Sequence, residues 1–154
     1  MASTVEKVLI QKWAEEQTAE VIEKQKSAYD ILVEASEAAE AAVKACRPTP
    51  MVVGTAIGLS DEIDESQPIY FVEGGMCGFA YVVIKPARGK LVAELKKRGI
   101  GSAHYYGGYS ASSSAFAPSI RRDQSYERAC AAARGAVEVL QKYGINAYVD
   151  SRLD

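Results

Sequence analysis

The chain has a single histidine, His104, three cysteines (Cys46, Cys77 and Cys130) and no Cys-x-x-Cys pair in its 154 residues. A zinc site with the usual four nitrogen and sulfur ligands lacks the material to form. Any imidazole-based catalysis would rest on His104 alone. No apolar run approaches the ~20 residues of a membrane-crossing helix, and the N-terminus has no basic-then-apolar leader pattern. The expectation is a protein that is not secreted, working in a cytoplasm or in a particle assembled there. Neither phosphate-loop frame, Gly-x-x-x-x-Gly-Lys-Ser/Thr or Gly-x-Gly-x-x-Gly, occurs. There is no Gly-x-Ser-x-Gly elbow either, and Asp61, Glu62, Asp64 and Glu65 lack the spacing and the glycine of a calcium-binding loop. No cofactor, metal or catalytic set is expected.

One acidic stretch lacks basic residues altogether. Residues 48–76 hold five acids (Asp61, Glu62, Asp64, Glu65 and Glu73) and no Lys or Arg, whereas residues 77–154 hold twelve Lys/Arg against six acids. The formal total of −2 hides this segregation. So small a total argues against a dedicated nucleic-acid binder, while a basic surface for an acidic or phosphate-bearing partner stays open.

Glycine and proline are absent from Thr4 to Ala45, where Ala, Glu, Lys and Gln dominate. Such a run predicts one continuous helix of roughly 60 Å, stopped by Pro48 and Pro50. Ala14, Val21, Ala28, Ala35 and Ala42 recur every seven residues, a heptad-like stripe of mostly small side chains. Val8, Leu9, Ile10 and Trp13 form a bulkier apolar tip. A helix this long cannot lie on a ~100-residue domain along its whole length. It must break, pair with another copy or rest on a partner, so the expected organisation is a helical arm over residues 1–47 and a compact domain over 48–154. Cys46 could pair between subunits, whereas Cys77 and Cys130 read as buried thiols.

The remainder alternates strand and helix signals. Short strands are expected at Met51–Ile57 and Ile69–Glu73, flanking an acidic loop. The strongest strand is Phe79–Lys85, a continuous aromatic and β-branched run expected at the centre of a sheet. Pro86 opens a helix to about Arg98, and Asp123 caps a second helix through Lys142 with Tyr126, Cys130, Ala133, Val137 and Leu140 inward. A strand at Ala103–Ser110, interrupted by Gly107-Gly108, and a last strand at Ile145–Val149 complete the pattern. The fold class is α+β, with a long N-terminal helix followed by a two-layer sandwich of a mixed sheet carrying two helices on one face.

The candidate site is aromatic and basic: Tyr105, Tyr106 and Tyr109, then Arg121 and Arg122, with Arg152 near the C-terminal end. On a strand Tyr105 and Tyr109 would share one side and Tyr106 the other. Tyr and Arg suit base stacking with phosphate pairing, and they equally suit a protein interface, which the sequence favours. His104 reads as a structural or surface residue.

Three strings stand out: Gly75-Met76-Cys77-Gly78-Phe79-Ala80-Tyr81-Val82, His104 to Tyr109, and Gly144-Ile145-Asn146-Ala147-Tyr148 running to Ser151-Arg152-Leu153-Asp154. As a set they resemble a poorly characterised group of small proteins of tailed bacteriophages. That group carries Gly-x-Cys-Gly-Phe-Ala-aromatic-Val, Tyr-Gly-Gly and a closing Gly-Ile-x-Ala-Tyr with Ser-Arg-x-Asp. Tyr81 stands where the group has tryptophan. The resemblance covers the last half of the chain, implies a phage origin and transfers no functional residues. The function expected is that of a non-enzymatic assembly protein, virion-associated or of the decoration type. It would self-associate through its long helix and meet other phage proteins in the virion or the host cytoplasm. The alternative is a small oligomeric nucleotide- or nucleic-acid-binding protein acting in the infected cell.

Overall fold

The computed structural model describes residues 4–24 and 26–154, the side chains of 19–24 excepted. The expected single helix is two. Helix α1 spans Thr4–Lys24 and α2 spans Ala28–Ala45. Ser27 starts α2 with a reciprocal capping box: its hydroxyl accepts the Asp30 N–H, and the Asp30 carboxylate accepts the Ser27 N–H. That arrangement satisfies two orphan donors of a helix start and so favours a new helix over continuation of the old one. The continuous 60 Å rod is therefore corrected.

Residues 28–45, expected in the arm, pack on the α+β unit. Ala35 and Ala39 are fully buried and belong to the main core. The partner is helix α5, Tyr126–Lys142, which is built almost wholly of small or aliphatic side chains on its inner side. Gly135 sits at the crossing, where an added Cβ would come within 2.7 Å of the Ala38 carbonyl oxygen. The α2 part of the small-residue stripe, Ala28, Ala35 and Ala42, thus lies at a close backbone approach inside one chain. Polar ties lock the seam. Glu34 accepts from Lys26 at 2.7 Å, Lys142 at 3.0 Å and the Tyr143 hydroxyl at 2.6 Å, while the Ser36 hydroxyl donates to the Phe116 carbonyl. By contrast, every described side chain of α1 is exposed, including Val8, Leu9, Ile10 and Trp13.

Beneath α5 lies a four-stranded sheet in the order β4-β5-β3-β6, formed by β3 (Gly78–Ile84), β4 (Ser102–Ala103), β5 (Tyr109–Ser112) and β6 (Ala147–Leu153). All its pairings are antiparallel, so the expected mixed sheet is corrected. Helix α3 (Lys90–Lys97) buries Leu91, Val92 and Leu95, and the short helix α4 (Ser113–Phe116) lies where a loop was expected. Ser125, not Asp123, is the N-cap of α5. Asp123 instead accepts the Ser125 N–H and pairs with Arg128 at 2.8 Å. Burial acts to raise the Asp123 carboxyl pKa, and these two bonds outweigh it and hold the group below its ordinary value.

Ala80, Val82 and Ile84 of β3 point to the helices and are buried, as period-two alternation requires. The strands β1 (Met51–Val53) and β2 (Tyr70–Val72) form a separate antiparallel hairpin in which Val52 faces Phe71 and Val53 faces Tyr70. Its base is held near α5, where the Thr49 N–H donates to the Glu127 carboxylate. None of the hydrophobic residues from 48 to 74 joins the core.

Candidate functional site

The three unusual strings meet on the sheet face turned away from the helices. Cross-strand register places Phe79 beside Arg152, Tyr81 beside Asp150 and Val83 beside Tyr148 on that face, with Ser110 and Ser112 contributed by β5. An antiparallel sheet with one packed face commonly presents polar residues on the other. Here the outer positions of β3 are Phe79, Tyr81 and Val83.

Val83 is nevertheless fully buried, because the turn joining β4 to β5 folds back over it. In the strand order β4 lies three spacings from β6, about 14 Å. Yet the His104 Nε2 atom reaches the Asp150 carboxylate on β6 at 3.1 Å, and its ring meets Tyr148 edge-on. Residues 104–108 must therefore cross the outer face. Gly108 permits this: its φ is +100°, and an added Cβ would meet the Ile84 carbonyl at 2.7 Å and the Val83 side chain at 3.3 Å. The pair Gly107-Gly108 belongs to a hairpin turn, so the expected single strand over 103–110, interrupted at these glycines, is corrected to two strands, β4 and β5.

This turn changes where the candidate tyrosines lie. Tyr105 and Tyr106 are 90% and 78% exposed, with their rings perpendicular and 4.9 Å apart. Tyr109 is 6% exposed and points to the helix side, where its hydroxyl donates to the Ile100 carbonyl and the Lys96 ammonium lies over its ring. The expected alternation, with Tyr105 and Tyr109 together, is corrected. Tyr109 is a core residue and leaves the candidate surface.

Of the arginines, Arg152 is on the outer face and lays its guanidinium 5.4 Å above the Phe79 ring. It lines one cleft with Tyr81, His104, Tyr105 and Asp150. Phe79 lines a neighbouring cleft that also holds Arg121, Arg122 and Asp154. The stacked pair joins the two clefts into one band. Arg121 and Arg122 follow a turn of 3-10 helix at Pro118–Ile120 and are exposed. Four of the six residues expected from sequence, Tyr105, Arg121, Arg122 and Arg152, line these two clefts, and Tyr106 meets the band only through the Tyr105 ring. Sequence reasoning did not single out Phe79 as a surface residue, and it is 43% exposed. It also missed Tyr81 and Asp150 as surface elements.

The chemistry available to His104 is set by its bonds. Nδ1 accepts the Tyr106 N–H at 3.3 Å, so in the neutral ring the proton sits on Nε2 and is donated to Asp150. The one lone pair that a general base needs is already engaged by the backbone. The pair works as a tie that holds the Tyr105–Tyr106 turn over the sheet. Cys130 is buried, and Cys46 and Cys77 are half-buried free thiols, with the Cys77 Sγ atom 3.8 Å from the Gln124 side-chain oxygen. Among the described residues, no three His, Cys, Asp or Glu side chains gather as a metal site would need. No described helix is long and apolar enough to cross a membrane. Compared with protein-family models, curated proteins and solved structures, the chain matches none.

Proposed function

We propose that this chain is a non-enzymatic, phage-encoded assembly protein, virion-associated or of the decoration type, that docks through the outer face of its sheet. One observation carries the reading: exposed Phe79, Tyr105 and Arg152 and half-buried Tyr81 stand together on the face opposite a packed core. Aromatic and arginine side chains are the types that interfaces concentrate at their centres. The engaged lone pair of His104 weighs against a role as general base, and the resemblance to small tailed-phage proteins supplies the setting. Partners are then further copies of the chain and other phage proteins, in the particle or the host cytoplasm. Because α2 belongs to the core, α1 is the part of the arm left for joining copies. The test is quantitative mass spectrometry of purified particles made with the wild-type chain and with Arg121→Ala/Arg122→Ala/Arg152→Ala. Stoichiometric wild-type protein and a depleted variant are expected, and absence of the wild-type chain from particles refutes the virion-associated reading.

The exposed Tyr105 ring beside Arg152, with the exposed Tyr106 ring against it, favours one second reading, a small oligomeric binder of nucleotide or nucleic acid. That reading predicts a salt-dependent affinity whose slope falls by about one for each phosphate-contacting arginine removed. An assembly surface predicts no affinity for nucleotide or nucleic acid that depends on these arginines.

A further inference from the structure

Among the described strand pairs, the β1–β2 hairpin holds the most exposed large hydrophobic side chains. Val52, Val53, Tyr70 and Phe71 are exposed on its two strands, and Ile57, Leu59 and Ile69 continue the patch into the connecting segment. Opposed pairs of the hairpin share a face, so Val52 with Phe71 and Val53 with Tyr70 expose apolar side chains on both sides. A two-stranded hairpin of three residues per strand is marginal alone in water, and an apolar patch of this kind marks a surface that is covered in use.

What covers it is constrained by charge. The connecting segment carries Asp61, Glu62, Asp64 and Glu65, and no Lys or Arg occurs between residues 48 and 76. Two hairpins placed against each other would bring like charges together with no cation between them, so the hairpin is a poor match for itself. The outer sheet face offers the complement. It presents Phe79 and Tyr81 flanked by Arg121, Arg122 and Arg152. Asp154 and Asp150 also border this band, but Asp150 is engaged by His104. Among the described residues, neither these three arginines nor Asp61, Glu62 and Glu65 takes part in an ion pair within the chain. Apolar surface flanked by unpaired acids therefore matches apolar surface flanked by unpaired arginines. Both belong to one polypeptide, which is the condition for self-assembly by unlike surfaces.

From this juxtaposition we infer that the β1–β2 hairpin of one copy docks on the outer sheet face of a second copy, its acidic segment meeting Arg121, Arg122 and Arg152. The inference rests on the assembly reading above and names the occupant of that face.

Two full-length variants test it. The hairpin variant is Phe71→Ser/Glu62→Lys/Glu65→Lys, and the face variant is Arg121→Glu/Arg122→Glu/Arg152→Glu. All six positions are exposed, and circular dichroism melts check that both variants keep the fold. Sedimentation velocity over a concentration series should show association of the wild-type chain and at least a tenfold weaker association of each variant alone. An equimolar mixture should regain a complex of the two variants, because the intact face of one meets the intact hairpin of the other. Three results overturn the inference: a mixture no more associated than its components, a variant that associates like wild type, or a wild-type chain that is monomeric throughout. The last result, joined to normal incorporation into particles, would leave the assembly reading standing and assign the hairpin to a different protein of the particle. Failure of the particle assay with a positive mixing result would do the reverse.

Discussion

Two antiparallel strand sets in this chain follow opposite rules. The four-stranded sheet packs Ala80, Val82 and Ile84 under α5, which is itself covered by α2. The β1–β2 hairpin has comparable apolar content, with Val52, Val53, Tyr70 and Phe71, and leaves it in water. Strand chemistry is alike in both, so propensity does not separate them. What separates them is charge and position. The sheet lies in the half of the chain that holds twelve Lys/Arg, and helices fold back over one of its faces, whereas the hairpin lies in a stretch with five acids and no Lys or Arg and is tied to α5 near its base. One set of strands is finished on its helix side within the chain, and the other keeps its apolar side chains in solvent.

The largest effect should come from the finished half. Leu140 on α5 is fully buried, and Leu140→Ala should cost about 2–5 kcal/mol in denaturant melts through lost transfer energy and the cavity left behind. A loss below about 1 kcal/mol would mean that α5 is not the centre of the core.

Phe79→Ala should cost less, roughly 1–2 kcal/mol, because 43% of the residue is already exposed while a fully buried phenylalanine is worth about 3–5 kcal/mol. A value at the upper end of the buried range would close the outer face and with it the docking surface.

Acid should loosen the α2–α5 seam by a smaller amount. Bonds from Lys26, then Tyr143, then Lys142 hold the Glu34 carboxyl down at about 2, against an ordinary value of 4.5. The same partnership raises the Lys26 ammonium above its usual value. A depressed carboxyl contributes stability that is complete above the unfolded value and is lost as pH falls through the folded one. Thermal melts of the wild-type chain should therefore lose stability between pH 4.5 and about 2, and Glu34→Gln should flatten that part of the profile. Glu34 is a quarter exposed, so solvent screening keeps the effect modest. Identical profiles for the two chains would show that the cluster adds nothing to the seam.

The smallest stability change belongs to the hairpin. Phe71→Ser should move the melting midpoint by the equivalent of less than about 0.5 kcal/mol, since Phe71 contributes nothing to the core. A loss near that of Leu140→Ala would erase the contrast between the two strand sets.

How much of this was readable beforehand depended on whether the signal was local. Helices α3 and α5 and the central strand β3 carry their own periodicity, and each appeared close to its expected place. The break before α2 had a local signal too. Ser27-x-x-Asp30 stands ahead of Ile31-Leu32-Val33, a capping box without glycine or proline to mark it, and it was passed over because the flanking residues are all good helix formers. The doubled glycine at 107–108 signals a hairpin turn rather than an interruption within one strand, and that turn puts Tyr109 on the helix side. Nothing local announces the His104–Asp150 bond, which joins residues far apart in sequence. Arg121, Arg122, Arg152 and Tyr105 were chosen for their chemistry, but their gathering around Phe79 depends on the strand order β5-β3-β6, which periodicity does not encode.

The central claim is that the outer sheet face is a docking surface in the assembled particle, and hydrogen–deuterium exchange of the wild-type chain, free and in purified particles, tests it most directly. The account predicts slower exchange in particles across Phe79–Tyr81, Tyr105–Tyr106 and Asp150–Arg152, with α5 unchanged because it is already protected. Equal exchange of those three segments in the two states would contradict it.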